Sequence, residues 1–225
     1  MLLTPLSKYL ETREQKRGAK GGGLLVSVKQ NNKQFMKALT NFEKKQMPFA
    51  IAQGINSTLF GLQKEMGKQT EIKLDRPTPA TKKGFFVKKA QKKNQVGFLA
   101  IKDFVAKYLK YQIVGGVRTT GKKIPIPYKP NIRLNRFGNI IGKKTGLIRN
   151  PSKQFFGKIG GVRGVYQITG GSREVPRLII AFKDSVSYTK KPFPFFIIGK
   201  SYINNTYNRN LNKAFKKAMA TARRK

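Results

Sequence analysis

Glu71 and Asp75 are the only closely spaced carboxylates in the part of the chain that reads as globular, and Lys73 and Arg76 flank them. Carboxylates set among cations read as structural ion pairs rather than as an acid/base couple. The chain has no histidine and no cysteine. The commonest general base, the commonest transition-metal ligand and every thiolate or disulfide are therefore excluded. No Walker-type phosphate loop is present. Gly142-Lys143-Lys144-Thr145-Gly146 offers glycine amides and two cations to an anion, but its spacing is wrong for a nucleotide loop and no strong strand–helix context surrounds it. It reads as a contact for a phosphate backbone through Lys143 and Lys144. Neither catalysis nor a cofactor is expected.

The chemistry that does stand out is charge. Forty-eight Lys and Arg face nine Asp and Glu, for a net charge of +39 over 225 residues. From Phe104 to Arg173 there are fifteen basic side chains and no carboxylate. Self-repulsion on this scale disfavours a compact monomer, so an anionic partner is expected, and nucleic acid fits best because neutralised phosphates release counterions. A plainer reading stands beside it: Lys far outnumbers Arg, as it would if an AT-rich genome filled solvated positions. The basic pairs Lys82-Lys83, Lys88-Lys89, Lys92-Lys93 and Lys122-Lys123 are interleaved with Phe85, Phe86, Phe98 and Tyr128. Bases can stack on such rings, although aromatic residues more often fill a core. Arg13, Lys16, Arg17 and Lys20 lie in a glycine-rich stretch and are the better electrostatic candidates.

These residues must be positioned by elements. Residues 1–23 read as a basic, glycine-rich arm, and residues 24–225 as one α+β domain with a loop-rich basic segment at about 117–171. Leu24–Val28 is a strand candidate. Asn32 can cap a helix carrying Phe35, Met36, Leu39 and Phe42, which Pro48 interrupts or restarts. The stripe Ala52, Ile55, Leu59, Leu62, Met66 is an amphipathic helix that should pack on a sheet and end near Gly67. Phe85–Ala90 and Val96–Ile101 read as strands. Asp103 can cap a short helix with Phe104, Ala106, Tyr108 and Leu109, closed by Gly115-Gly116. Beyond it, strands or extended segments are expected at Ile124–Tyr128 and Gly164–Thr169 with loops between, and a strand at Pro176–Lys183, apolar on both sides and hence central. A last helix is expected from Phe195 to Ala222, with Ile198, Tyr202, Leu211, Phe215 and Met219 on its apolar side. The sheet is mixed or antiparallel. No stretch is long and apolar enough for a membrane span, and Met1-Leu2-Leu3 lacks a signal-peptide core, so a soluble protein made in a cytoplasm is expected. Phe193, Phe195, Phe196 and Ile198 form a dense apolar patch at the entry to the last helix. They serve either as its anchor on the sheet or as an oligomer interface, where aromatic residues concentrate.

One ordered set of short motifs remains: Asp75-Arg76-Pro77-Thr78-Pro79, Tyr108-Leu109 with Gln112-Ile113-Val114-Gly115-Gly116-Val117-Arg118, Gly138-Asn139, Leu178–Phe182 and the aromatic stretch Tyr188–Phe196. In this order, over roughly residues 35 to 220, they resemble a family of tailed-bacteriophage virion proteins related to minor tail protein Z and other tail-completion proteins. The resemblance implies an α+β structural protein without catalysis or cofactor, placed at the tail or the head–tail junction of the virion. It also implies a homo-oligomeric ring contacting portal, adaptor or tail-tube proteins, synthesised in the host cytoplasm. The Lys-rich middle and the basic arm depart from the family pattern. Packaged DNA or acidic neighbouring subunits would neutralise them. The alternative is a sequence-independent nucleic-acid-binding protein, such as a packaging or ribosome-associated factor.

Overall fold

The computed structural model describes residues 25–29, 41–141, 150–170 and 175–222. The fold is α+β, with antiparallel sheets. The chain forms two compact units: the described parts of Met1–Ile113 and Pro192–Lys225 make one, and Val114–Lys191 the other. A single domain over 24–225 is thus not what forms; the basic middle of the chain folds as a unit of its own.

The first unit is built on helix α1 (Asn41–Lys73), the one-turn helix α2 (Pro79–Lys82), helix α3 (Asp103–Ile113), helix α4 (Phe195–Ala222) and strands β1 (Leu25–Lys29), β2 (Phe85–Lys88) and β3 (Val96–Ile101). The strands lie in the order β1-β3-β2, antiparallel throughout, with Phe85 opposite Ile101 and Leu25 opposite Ala100. The predicted stripe of α1 is the core: Ala52, Ile55, Leu59, Leu62 and Met66 are all buried, and they pack with Leu99, Ile101, Val105 and Leu109. Removing each of the larger of these side chains from water contributes on the order of 2 kcal/mol.

Two expectations about α1 fail. The helix runs through Pro48, giving up one backbone hydrogen bond. It also runs past Gly67 to Lys73, because Met66 and Thr70 are still buried there and the Thr70 hydroxyl returns a 2.7 Å hydrogen bond to the Met66 carbonyl. The Asn32-capped segment with Phe35, Met36 and Leu39 lies outside the described residues. Polar side chains of α1 also hold the sheet. Asn56 bonds both backbone groups of Ala90 (2.7 and 3.0 Å), and the Gln63 amide donates to the Phe85 carbonyl at 2.8 Å.

Helix α4 has its predicted limits but a different buried face. Ile203, Tyr207, Leu211, Ala214 and Ala218 are buried, while Ile198, Tyr202 and Phe215 are half-buried and Met219 is exposed. The reason lies in α1, where Gly54 and Gly61, seven residues apart, present bare backbone. A Cβ on Gly54 would stand 3.0 Å from the Leu211 Cα, and one on Gly61 only 2.3 Å from the Tyr202 hydroxyl. The helices approach across these two positions, and Asn210 donates across the seam to Thr58 at 3.0 Å. Burial pushes the Tyr207 hydroxyl well above the ordinary tyrosine pKa.

The second unit is a four-stranded antiparallel sheet in the order β4-β7-β6-β5, made of β4 (Gly116–Pro127), β5 (Gln154–Ile159), β6 (Val162–Gln167) and β7 (Arg177–Tyr188). β7 is interior, as its apolar run predicts, but extends five residues further than Lys183. The loop-rich reading of this segment is corrected most at β5, which was not foreseen, and at β4, which is twelve residues long. The edge position of β4 accommodates Pro125 and Pro127. β5 and β6 are joined by Gly160-Gly161, whose φ angles of 56° and 82° suit a two-residue hairpin turn. The core of this unit is small: Val165, Ile179 and Ile180, with Ile132, Ile140 and Phe182 packed against it.

Candidate nucleic-acid interface

The sheet of the second unit carries a basic, aromatic concavity of about 460 Å³ lined by Lys123, Phe156, Gly157, Lys158, Arg163, Gly164 and Phe182. The pairing register produces it. Lys158 stands directly opposite Arg163, and Phe156 lies two residues from Lys158 on the same face. The Phe156 and Phe182 rings stack with centroids 6.0 Å apart and planes 27° from parallel. Phe156 is nonetheless 60% exposed. On the floor, Gly157 faces Gly164, and a Cβ on Gly164 would fall 2.2 Å from the Ile180 carbonyl oxygen. Only glycine lets β6 lie this close to β7.

Lys123 enters from a bulge. Thr119 pairs with Ser185 and Ile124 with Lys183, so the four residues between them face Asp184 alone. Gly121, with φ 65°, turns the backbone within it. The Lys123 ammonium donates to the Asp184 carboxylate. Among the described residues the other ion pairs are Arg76 with Asp75, at 3.2 Å, and Lys82 with Glu71. No described carboxylate reaches Lys158 or Arg163. Like charges directly opposite on a sheet repel, and here nothing in the described chain offsets them.

The predicted contact residues are scattered. Lys123 lines the concavity, and Lys122 is exposed beside it with its carbonyl accepting from Thr120 at 2.7 Å. Arg13, Lys16, Arg17, Lys20, Lys143 and Lys144 lie outside the described residues. Of the proposed interface residues, Phe193 and Phe195 are fully buried within the first unit, against Phe85 at 6.2 and 6.1 Å. They anchor α4 on the sheet and present nothing to another copy, which corrects their assignment to an oligomer interface. Phe196 and Ile198 are half-buried on the same core. The interleaved aromatics divide likewise. Phe85 is core, Phe86 and Tyr128 are exposed, and the Lys88 ammonium sits 5.5 Å from the Phe98 ring centre.

The sequence reading does not single out Phe156, Lys158 or Arg163, and it includes Phe182 only as the end of the Leu178–Phe182 motif. The available signal was Gly160-Gly161 between two short runs with aromatic and β-branched residues, a hairpin pattern that would have placed Lys158 opposite Arg163. The ordered motifs, by contrast, are spread over caps, turns and element interiors, with Leu178–Phe182 in β7 and Tyr108–Leu109 in α3. Thr78 caps α2 through its hydroxyl (3.2 Å to the Thr81 amide), and the Thr81 hydroxyl meets the Tyr108 hydroxyl at 2.9 Å. Arg76 is the one described non-glycine residue with positive φ, 45°. The Gln112 carbonyl accepts from the Phe193 amide at 3.2 Å. Gly115 and Gly116, with φ 79° and 106°, open β4. The Asn135 side chain accepts from the amides of Phe137 and Asn139, closing the Gly138-Asn139 turn.

Comparisons of the chain with family models, with curated proteins and with solved structures give no match. Among the described residues no cluster of acidic side chains is arranged to hold a metal ion, and no helix is long and apolar enough to cross a membrane.

Proposed function

We propose that this chain is a non-enzymatic structural subunit of a tailed-bacteriophage virion, acting at the tail or the head–tail junction as a tail-completion or neck component. It assembles as a homo-oligomeric ring beside portal, adaptor or tail-tube proteins, with its basic surface toward packaged DNA or acidic neighbours. The observation that carries this reading is the distribution of the ordered motifs. Residues that spell an active site converge on one cleft. Here Thr78, Tyr108, Gln112, Gly115-Gly116 and Asn139 cap, turn and brace both units. Such a signature specifies a shape, and a virion part works by shape.

The test is to purify particles from cells carrying the intact phage genome and reconstruct them. The expected result is this chain in stoichiometric rings at the neck or tail end. Particles that lack it, together with a monomeric chain bound to cellular RNA or DNA, would favour the second reading instead. That reading, a sequence-independent nucleic-acid-binding protein, draws on the Lys123–Lys158–Arg163 concavity alone.

A further inference from the structure

The geometry points to a single-stranded nucleic acid as the occupant of the concavity on the second unit, with one base stacked on Phe156 and the phosphates on either side held by Lys158 and Arg163. The inference deepens the basic-surface part of the proposed function by naming the ligand class, and it does not depend on where in a particle the chain sits. Three observations combine. First, a large apolar ring is held exposed at the mouth of a cationic hollow, braced from within by Phe182 at 6.0 Å. A braced ring loses little freedom when a second flat group stacks on it. Second, Lys158 and Arg163 face each other across β5 and β6 with no described counter-charge. That repulsion is relieved by an anion lying between or over them. Third, the hollow of about 460 Å³ is within the size range of small-molecule sites, and the backbone of Gly157 and Gly164 lines it.

Charge alone would suit any polyanion, an acidic peptide or duplex DNA included. The exposed ring decides among them. A duplex hides its base faces in the stack, whereas a single strand offers them, and stacking on aromatic side chains is how sheet surfaces hold single strands without reading sequence. Lys123, tied to Asp184, borders the hollow and is the natural third contact along the backbone.

The experiment uses the full chain and a fluorescently labelled oligo(dT) of about 20 nucleotides, with a duplex of equal length and poly-glutamate as competitors. Because a net charge of +39 binds any polyanion somewhere, affinity is measured across a salt series, and the bound strand is photocrosslinked and mapped by mass spectrometry. Phe156→Ala is expected to weaken oligo(dT) binding about 10-fold, within the range that loss of one stacked base gives. Duplex binding should change less than about 2-fold, and Phe156→Tyr should restore the strand affinity because a tyrosine ring stacks as well. Lys158→Gln with Arg163→Gln should lower the salt slope for the single strand by about 1.4. Crosslinks should map to Gln154–Arg163. Phe156 is largely exposed, so the Ala and Tyr variants should melt like the parent chain. Equal loss of strand and duplex binding in Phe156→Ala, no loss at all, or crosslinks confined to other segments would each overturn the assignment. Preferential binding of poly-glutamate would replace the nucleic acid by an acidic protein segment. None of these outcomes bears on whether the chain is found in particles.

Discussion

Helices α1 and α4 bury Ile55, Leu59, Leu62, Ile203, Tyr207 and Leu211 in a core shared with a three-stranded sheet, and every buried polar side chain that is described there has a partner. The second unit buries Ile124, Val165, Tyr166, Ile179 and Ile180. Yet its sequence from Val114 to Lys191 contains seventeen Lys and Arg against two carboxylates. The first unit carries thirty-one Lys and Arg against seven carboxylates of its own, but a much larger buried apolar core holds it together. The second has a thin core and an unbalanced charge, so its stability depends on what screens or neutralises that charge. Within one chain, burial carries one unit and the charge balance conditions the other.

The largest expected effect tests the first half of that contrast. Leu59→Ala removes a fully buried side chain that α1 sets against the sheet. It should destabilise the first unit by about 2–5 kcal/mol, read by chemical denaturation, and the loss should be the same at low and high salt. A loss under about 1 kcal/mol, or one that salt repairs, would mean that burial is not what holds this unit.

The same contrast explains what was legible in the sequence. The stripe Ala52–Met66, the strand Val96–Ile101 and the limits of α4 were read correctly because burial imposes a period on apolar residues. The buried face of α4 was misjudged because it depends on Gly54 and Gly61 of a helix about 150 residues away, a tertiary fact with no local signal. In the second unit few positions are buried, so there was little period to read. β5, Gln-Phe-Phe-Gly-Lys-Ile, shows no clear apolar period and reads as a loop. The candidate site was missed for the same reason. Phe156 and Arg163 are ordinary residues until pairing places Lys158 opposite Arg163 and Phe182 behind Phe156.

A smaller effect is expected where the motif residues meet. Tyr108→Phe deletes the hydroxyl that contacts Thr81 Oγ1 at 2.9 Å, while Thr81 keeps its contact with Thr78 Oγ1 at 2.8 Å. With one partner retained, the cost should be near 1 kcal/mol, confined to the first unit and independent of salt. Thermal melting at two ionic strengths measures it. A salt-dependent loss would blur the boundary between the two modes of stabilisation.

The smallest effect is the sharpest probe of the second unit. Asp184 is one of its two carboxylates and the partner of Lys123 in the β4 bulge, and its side chain is 80% exposed. An exposed ion pair contributes under about 1 kcal/mol, so Asp184→Asn should barely register against the first unit's stability. It should, however, be visible in hydrogen exchange of the β4 and β7 amides, which report opening of this sheet alone. The sign follows from the charge balance. Loss of the carboxylate removes an attraction and leaves Lys123 to repel its neighbours, so protection should fall at low salt. At about 1 M salt the screening length shrinks to about 3 Å, and the variant should then match the parent. If the difference persists at high salt, Asp184 acts through local geometry, and the claim that charge governs the second unit loses its most direct support. If it disappears, then a bound polyanion should remove it as well, because phosphates over Lys123, Lys158 and Arg163 do locally what salt does everywhere.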